Sequence, residues 1–386
     1  MTEPAEVETT GRFLVLLQED AIEEGLAELG AIAGFDPNSG DLDAETVQVF
    51  PELGVAVVSA DPNLLAELNG AAERPGPVQI VEPERVVHAY DAAPAEDADI
   101  EPAADESVLT WGLQAVGADI STATGKGIKI AVLDTGFEKN HPDFTGRAIT
   151  TKSFITGEDV QDGHGHGTHC IGTSAGPRKP ATAPGYGVAH EAEIFAGKVL
   201  SNAGSGSDGG ILAGIDWAVS NGCAVISMSL GADVPVGTPP SQIYETVAQR
   251  AMAKGTLIIA AAGNASQRPA KIAPVGHPAR CASIIAVAAI DVNRQIAFFS
   301  SGSADKIGQI DVAGPGVDVY SSFKLPQKYA RLRGTSMATP HAAGVAVLIA
   351  EKTGARGFEL WARLALSSLR LPLPSTDVGG GLVQAP

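Results

Sequence analysis

From Gly127 onward, apolar runs of strand length alternate with helical patterns: IKIAVLDTG, HGTHCIGTSAG, EIFAGKVL, GGILAGIDWAVSNG, AVISMSLG, SQIYETVAQRAMAKG, TLIIAAAGN and CASIIAVAAI. Continuous apolar strands separated by helices require a parallel sheet buried on both faces, an α/β architecture. Ligands bind such sheets at the carboxyl ends of the strands. Three of these runs end in polar or glycine-containing turns, at Asp134, Ser229 and Asn264.

The first 90 residues follow a different plan. FLVLL, EEGLAELGAIAG, VQVFPELGVAVVSA with a Pro-Glu-Leu-Gly turn inside it, NLLAELNGAAERPG and VQIVEPERVVHAY read as β-α-β-β-α-β. That order predicts a small α+β ferredoxin-like domain, a sheet covered by two helices. Between Asp91 and Glu106 the chain turns to Ala, Pro, Asp and Glu, which cannot bury enough apolar surface to order itself. The expected organisation is therefore a domain over 1–90, an acidic linker over 91–106 and a larger domain over 107–386.

Charge divides the chain at the same place. Residues 1–106 hold 25 of the 45 acidic side chains and 3 of the 26 basic ones, a net −22, and the remainder is near neutral at +3. No basic face is available to meet phosphates, so nucleic acid is excluded as a partner. The leader MTEPAEVETTGRFLVLLQED is acidic, with only a five-residue apolar run, Phe13 to Leu17, and lacks the pattern of a secretory signal. A cytoplasmic location is expected, with an extracellular one the alternative if an export signal has been removed. No stretch is long and apolar enough for a membrane span. Three cysteines, Cys170, Cys223 and Cys281, are an odd number that reads as buried thiols.

Three residues carry candidate chemistry, and each has an ordinary reading beside it. Ser336, in Arg-Gly-Thr-Ser-Met-Ala-Thr-Pro-His, precedes an apolar helix and could be a simple helix cap, or a nucleophile at the positive end of a helix dipole. Gly334 before it would let a second backbone come close. His166 lies in Asp-Gly-His-Gly-His-Gly-Thr-His-Cys, where three histidines in six positions could also hold zinc. Asp134 ends a buried strand before Thr-Gly, where aspartate often serves only the turn.

The conjunction is more specific than its parts. Asp134, His166 and Ser336, in that order and with those flanks, resemble the local motifs of the subtilisin-like serine proteases. The resemblance extends to Ala-Ala-Gly-Asn at 261–264, Ser-Met-Ser-Leu-Gly at 227–231, His-Pro-Asp at 141–143, Lys-Val-Leu before a Gly-Ser loop at 198–206, and Gly-Gly-Gly-Leu-Val at 379–383. It implies a serine endopeptidase in which Ser336 attacks a peptide carbonyl, His166 carries the proton and Asp134 orients the imidazole. It also implies that Asn264 and the Ser336 backbone N–H stabilise the oxyanion. A polypeptide substrate would pair as an added strand with Ser229, Leu230 and Gly231 on one edge and Gly204, Ser205 and Gly206 on the other.

By the same resemblance the N-terminal domain is similar to a subtilisin propeptide, an intramolecular inhibitor whose end lies in the cleft as a product. The matching segment ends at Tyr90, which implies a self-inhibited zymogen, with self-cleavage after Tyr90, its ring in the first specificity pocket and Val87 in the fourth. No cofactor is implied for the chemistry. Calcium is allowed at Asp143, but the partner loop, Pro-Arg-Lys-Pro-Ala-Thr-Ala-Pro-Gly-Tyr, holds two cations and no carboxamide and suits that ion poorly. Other readings stay open: a subtilase-fold peptide-tailoring acyl transferase or macrocyclase, a binding module with a dormant site, and a zinc hydrolase.

Overall fold

The computed structural model describes residues 7–37, 46–90, 104–180, 182 and 184–386. In the N-terminal part, β1 (Thr9–Leu17), α1 (Ile22–Ala33), β2 (Val47–Phe50), β3 (Val55–Ser59), α2 (Pro62–Ala72) and β4 (Val78–Ala89) follow the expected order. The strands lie as β4-β1-β3-β2, each pair antiparallel. Asp61 starts α2 by accepting from the Asn63 and Leu64 N–H groups, with proline at the first helical position.

The small sheet is apolar on both faces, so two helices cannot cover it. Val15, Leu17, Ala56 and Val58 share one buried cluster with Leu29 and Leu68 of α1 and α2. Leu14, Leu16, Val55 and Val57, pointing the other way, join the main core of the molecule.

The larger part contains α3 (Trp111–Ala115), β5 (Lys129–Asp134), β6 (Ile149–Ser153), α4 (His166–Ala175), β7 (Glu193–Lys198), β8 (Ser205–Ser207), α5 (Asp208–Ser220), β9 (Val225–Met228) and β10 (Leu230–Gly231). After these come α6 (Gln242–Ala253), β11 (Leu257–Ala261), β12 (Ile285–Ile290), β13 (Val312–Pro315), the β14 (Val319–Ser322) and β15 (Tyr329–Leu332) hairpin, α7 (Thr335–Thr353), α8 (Gly357–Ser367) and α9 (Ser375–Val378). Seven strands form the expected parallel sheet, in the order β13-β12-β11-β9-β5-β7-β6.

The two parts meet through β4 and through α5 and α6. The second half of β4 leaves its own sheet and runs antiparallel between β8 and β10. Glu82 and Glu84, two residues apart and therefore on one face of that strand, reach the starts of two helices. Glu82 accepts from the Gln242 N–H (2.7 Å) and the Ser241 hydroxyl (2.5 Å) at α6. Glu84, fully buried, accepts from the Gly209 N–H (2.9 Å) at α5 and from Arg12 at 2.7 and 2.8 Å. Unpaired N–H groups and the helix dipole both favour carboxylates there. Asp208, at the start of α5, is buried between the Arg85 backbone N–H (3.0 Å) and His277 Nε2 (2.8 Å).

Of the expected linker, residues 91–103 lie outside the described residues. Glu106 accepts from the Trp111 N–H at 2.7 Å and pairs with Arg331 at 2.5 Å. Among the described residues no helix is long and apolar enough to cross a membrane.

Candidate active site

Asp134 is the last residue of β5 and His166 the first of α4, so both sit at the carboxyl edge of the parallel sheet. His166 Nδ1–H donates to Asp134 Oδ1 at 2.7 Å, and the Thr135 N–H donates to the same oxygen at 2.7 Å. Burial alone would disfavour the imidazolium. The adjoining Asp134 carboxylate, together with the Cys170 sulfur, outweighs it and holds the His166 pKa well above its ordinary value.

The loop before α4 is braced by Asp162, a residue whose role the sequence did not reveal. Its Oδ1 accepts from the His164 and Gly165 N–H groups (3.0 and 2.7 Å) and the Thr135 hydroxyl (2.9 Å). Its Oδ2 accepts from the Thr168 N–H (2.8 Å) and hydroxyl (2.7 Å). Burial opposes the charge, but these donors prevail and keep the carboxyl below its usual range. Thr135 and Thr168 thereby join the turn after β5 to the first turn of α4, fixing His166 against Asp134.

The histidines of this motif do not converge on one point. His169 Nε2 is 3.0 Å from the Val319 carbonyl and 3.3 Å from that of Ala330, and burial lowers its pKa to about 3. The His164 ring stands edge-on to His166, centroids 6.2 Å apart. Among the described residues the one compact group of possible metal ligands is Asp134, His166 and Cys170, within this same site. Burial pushes the Cys170 thiol up to about 11, so it is protonated; Sγ lies 3.8 Å from His166 Nδ1 and donates to the Ser336 carbonyl at 3.5 Å.

Ser336 is the second residue of α7, and the helix-cap position falls on Gly334 instead. Gly334 has φ +152°, and a Cβ there would lie 3.0 Å from both Asn264 Nδ2 and the Tyr90 carbonyl oxygen. Only glycine leaves that approach open. Asn264, three residues beyond β11, accepts at Oδ1 from the Thr335 N–H and hydroxyl, each 2.9 Å, which turns its amide nitrogen the other way. Nδ2 donates to the Tyr90 carbonyl at 2.7 Å, and the Ser336 hydroxyl donates to the same oxygen at 2.9 Å and to the Ser229 carbonyl at 3.1 Å.

All six residues expected to bind substrate meet β4. Leu230 pairs with Ala89 and Gly231 with His88 on one edge; Ser205 pairs with His88 and Gly206 with Val87 on the other. The Ala89 N–H donates to the Gly204 carbonyl (2.9 Å) and the Tyr90 N–H to that of Ser229 (3.4 Å). The buried Tyr90 ring lies against Gly231 and Gly276, whose missing side chains make its space, and Val87 is fully buried.

Asp143 does not fit a calcium ion. Its Oδ2 accepts from the Tyr186 and Tyr329 hydroxyls, at 2.7 and 3.0 Å, where calcium would need further oxygen acceptors.

Residues 125–364 match the sequence model of the subtilase family. The chain is similar to an alkaline protease of Alkalihalobacillus alcalophilus, 39% identical over 75% of this chain and 72% of that protein. It is also similar to subtilisin Savinase of Lederbergia lenta, 40% identical over 72% of this chain and 97% of that protein. Thermitase of Thermoactinomyces vulgaris is 41% identical over 60% of this chain and 77% of its own length.

Proposed function

The chain belongs to the subtilase family and is a serine endopeptidase acting on polypeptides, and from that premise we propose that Asp134, His166 and Ser336 form its catalytic triad. Ser336 Oγ attacks the carbonyl carbon while His166 takes its proton, and the same proton passes to the departing amine. Asp134 keeps the imidazole in the required tautomer and stabilises its charged form. Asn264 Nδ2 and the Ser336 backbone N–H receive the negative oxygen of the tetrahedral intermediate. Water, activated by His166, then releases the acyl group. Every group used belongs to the protein, so the chemistry needs no cofactor. A relative named as a protease favours water over an amine as the acyl acceptor.

We assign residues 1–90 as an inhibitory domain, 91–106 as a linker and 107–386 as the catalytic domain. One observation carries this reading: the Tyr90 carbonyl oxygen is 2.7 Å from Asn264 Nδ2 and 2.9 Å from Ser336 Oγ. The bond from Tyr90 to Asp91 is thus the one offered for cleavage, with Gly204, Ser205, Gly206, Ser229, Leu230 and Gly231 gripping the strand that presents it. The cytoplasmic location expected from the leader gains no support from the relatives, and we retain the extracellular alternative.

Intact-mass analysis of the expressed chain tests the assignment. A product beginning at Asp91 is expected from the wild type and none from Ser336→Ala. Cleavage that persists in Ser336→Ala, or that occurs only elsewhere, would refute it.

A further inference from the structure

Cations are distributed unevenly about the Tyr90–Asp91 bond. Residues 199–249, which supply both edges that pair with β4, contain no Lys or Arg. Residues 323–333, FKLPQKYARLR, hold Lys324, Lys328, Arg331 and Arg333 and no acid. They run from the turn of the β14–β15 hairpin through β15 to the residue before Gly334.

This segment stands against both halves of the site. At one end Arg333 adjoins Gly334, where a Cβ would lie 3.0 Å from the Tyr90 carbonyl oxygen. At the other, Lys324 donates to the Gly163 carbonyl, and a Cβ at Gly165, directly before His166, would collide with the Phe323 ring. Among the described residues the hairpin is a two-stranded sheet of its own and pairs with no part of β4. Because β4 reaches Ser336 from between β8 and β10, the hairpin flanks the side on which the chain continues after Tyr90.

What continues there is acidic. Residues 91–106 carry seven acidic side chains and no Lys or Arg. Both ends of that segment are held by the short stretch from Arg331 to Ser336. The Tyr90 carbonyl oxygen is 2.9 Å from Ser336 Oγ, and Glu106 pairs with Arg331. Arg331 also pairs with Asp318 at 3.0 Å, Arg333 lies over the Phe298 ring at 5.3 Å from its centroid, and Lys328 is exposed at the turn.

We propose that Lys324, Lys328, Arg331 and Arg333 form a charge-selective surface for acidic residues on the carboxyl side of the cleaved bond. The enzyme then selects polypeptides by charge after that bond, while main-chain pairing before it stays indifferent to charge. The chain's own segment from Asp91 is the first occupant. The proposal rests on the reading that Ser336 attacks the Tyr90–Asp91 bond. A single exposed ion pair contributes little. Several like charges at one opening make a field that draws in an acidic chain and repels a basic one, and salt screens it.

The test uses the full-length chain after it has processed itself. Quenched fluorescent peptides share every residue through a tyrosine at the cleaved bond and carry Glu, Gln or Lys at the second and fourth positions after it. The Glu peptide should have a kcat/KM on the order of tenfold above the Gln peptide, with the Lys peptide lowest. In about 1 M salt, where the screening length is only about 3 Å, the preference should vanish. Lys328→Gln combined with Arg333→Gln should abolish most of it, and Lys328→Glu alone should cut it by about threefold. The ratio between peptides is read within each enzyme, so a general loss of activity does not enter. Should the double variant fail to fold, Lys328→Glu at its exposed turn decides. A Glu-to-Gln ratio near one, a ratio that survives high salt, or one unchanged in Lys328→Glu would overturn the proposal alone. Cleavage of these peptides by Ser336→Ala would instead overturn the reading on which it rests.

Discussion

In the cleft, β4 is held on both edges by main chain, Val87 is fully buried, and the Tyr90 ring is received by two glycines. On α5 and α6 the same domain is held by charged side chains: Glu82 and Glu84 at helix starts, and Arg250 and Lys254 at a helix end. The first mode is tolerant of sequence, as a protease acting on many polypeptides requires. The second depends on particular side chains, as the proposed recognition of one inhibitory domain would require. On the proposed reading, separating them would let one protein be permissive toward substrates and selective toward its own restraint.

The largest effect expected tests the cleft alone. Asn264→Ala removes the donor that holds the Tyr90 carbonyl while leaving every contact on α5 and α6 in place. A loss of about 100-fold to 1000-fold in kcat is expected, a range taken from the corresponding donor of a subtilisin. Self-cleavage should slow in the same proportion, and the uncleaved chain should stay docked. A kcat within a few-fold of wild type, measured on a short peptide, would remove Asn264 from the oxyanion site.

The next effect tests the helical face. Glu84→Ala leaves the Gly209 N–H and Arg12 without their buried acceptor. Arg12 belongs to the same N-terminal part as Glu84, so only the Gly209 contact bears on docking, and about 2 kcal/mol is at stake for a hydrogen bond to a charged group. The lag before activity should shorten by roughly 10-fold to 30-fold, and kcat/KM of the released enzyme should not move. A changed kcat/KM with an unchanged lag would place Glu84 in the cleft's economy rather than the interface.

The same division governs what could be read from the chain. The cleft was legible because its parts are local motifs: Asp-Thr-Gly after a strand, His in a glycine-rich turn, Ser before an apolar helix and Asn after another strand. The Tyr90 carbonyl was anticipated only through the resemblance to a subtilisin propeptide, whose end lies in the cleft. The helical face was not legible, because its meaning lies in pairs distant in sequence, such as Arg250 with Leu53 and Glu84 with Gly209. Two signals were present all the same. FLVLL and VAVV are continuously apolar, so the small sheet needed a cover on its second face as well as the two helices on its first. Glu82 and Glu84 fall on one face of a strand, where a pair of buried-side carboxylates calls for donors. Asp162 was hidden for a different reason: five donors converge on it only after the turn at 134–136 and the helix at 166 have come together.

The smallest effect separates the two surfaces by pH. In the occupied cleft the Asp134 carboxylate holds the His166 pKa well above 6.5. A raised histidine pKa stabilises the fold fully below about 6.5, and that contribution fades as pH rises through the folded value. Catalysis needs the neutral ring, so activity should appear over the interval in which this stabilisation is lost. The acid limb of kcat, which reports the occupied site, should have its midpoint above pH 6.5 and fall about tenfold per unit below it. Arg250 is a guanidinium with no proton to lose in this interval, so Arg250→Met should shift the lag and leave the limb where it is. A midpoint below 6.5 would mean that burial, not Asp134, dominates the imidazole; a limb that moved in Arg250→Met would show that the two surfaces are coupled.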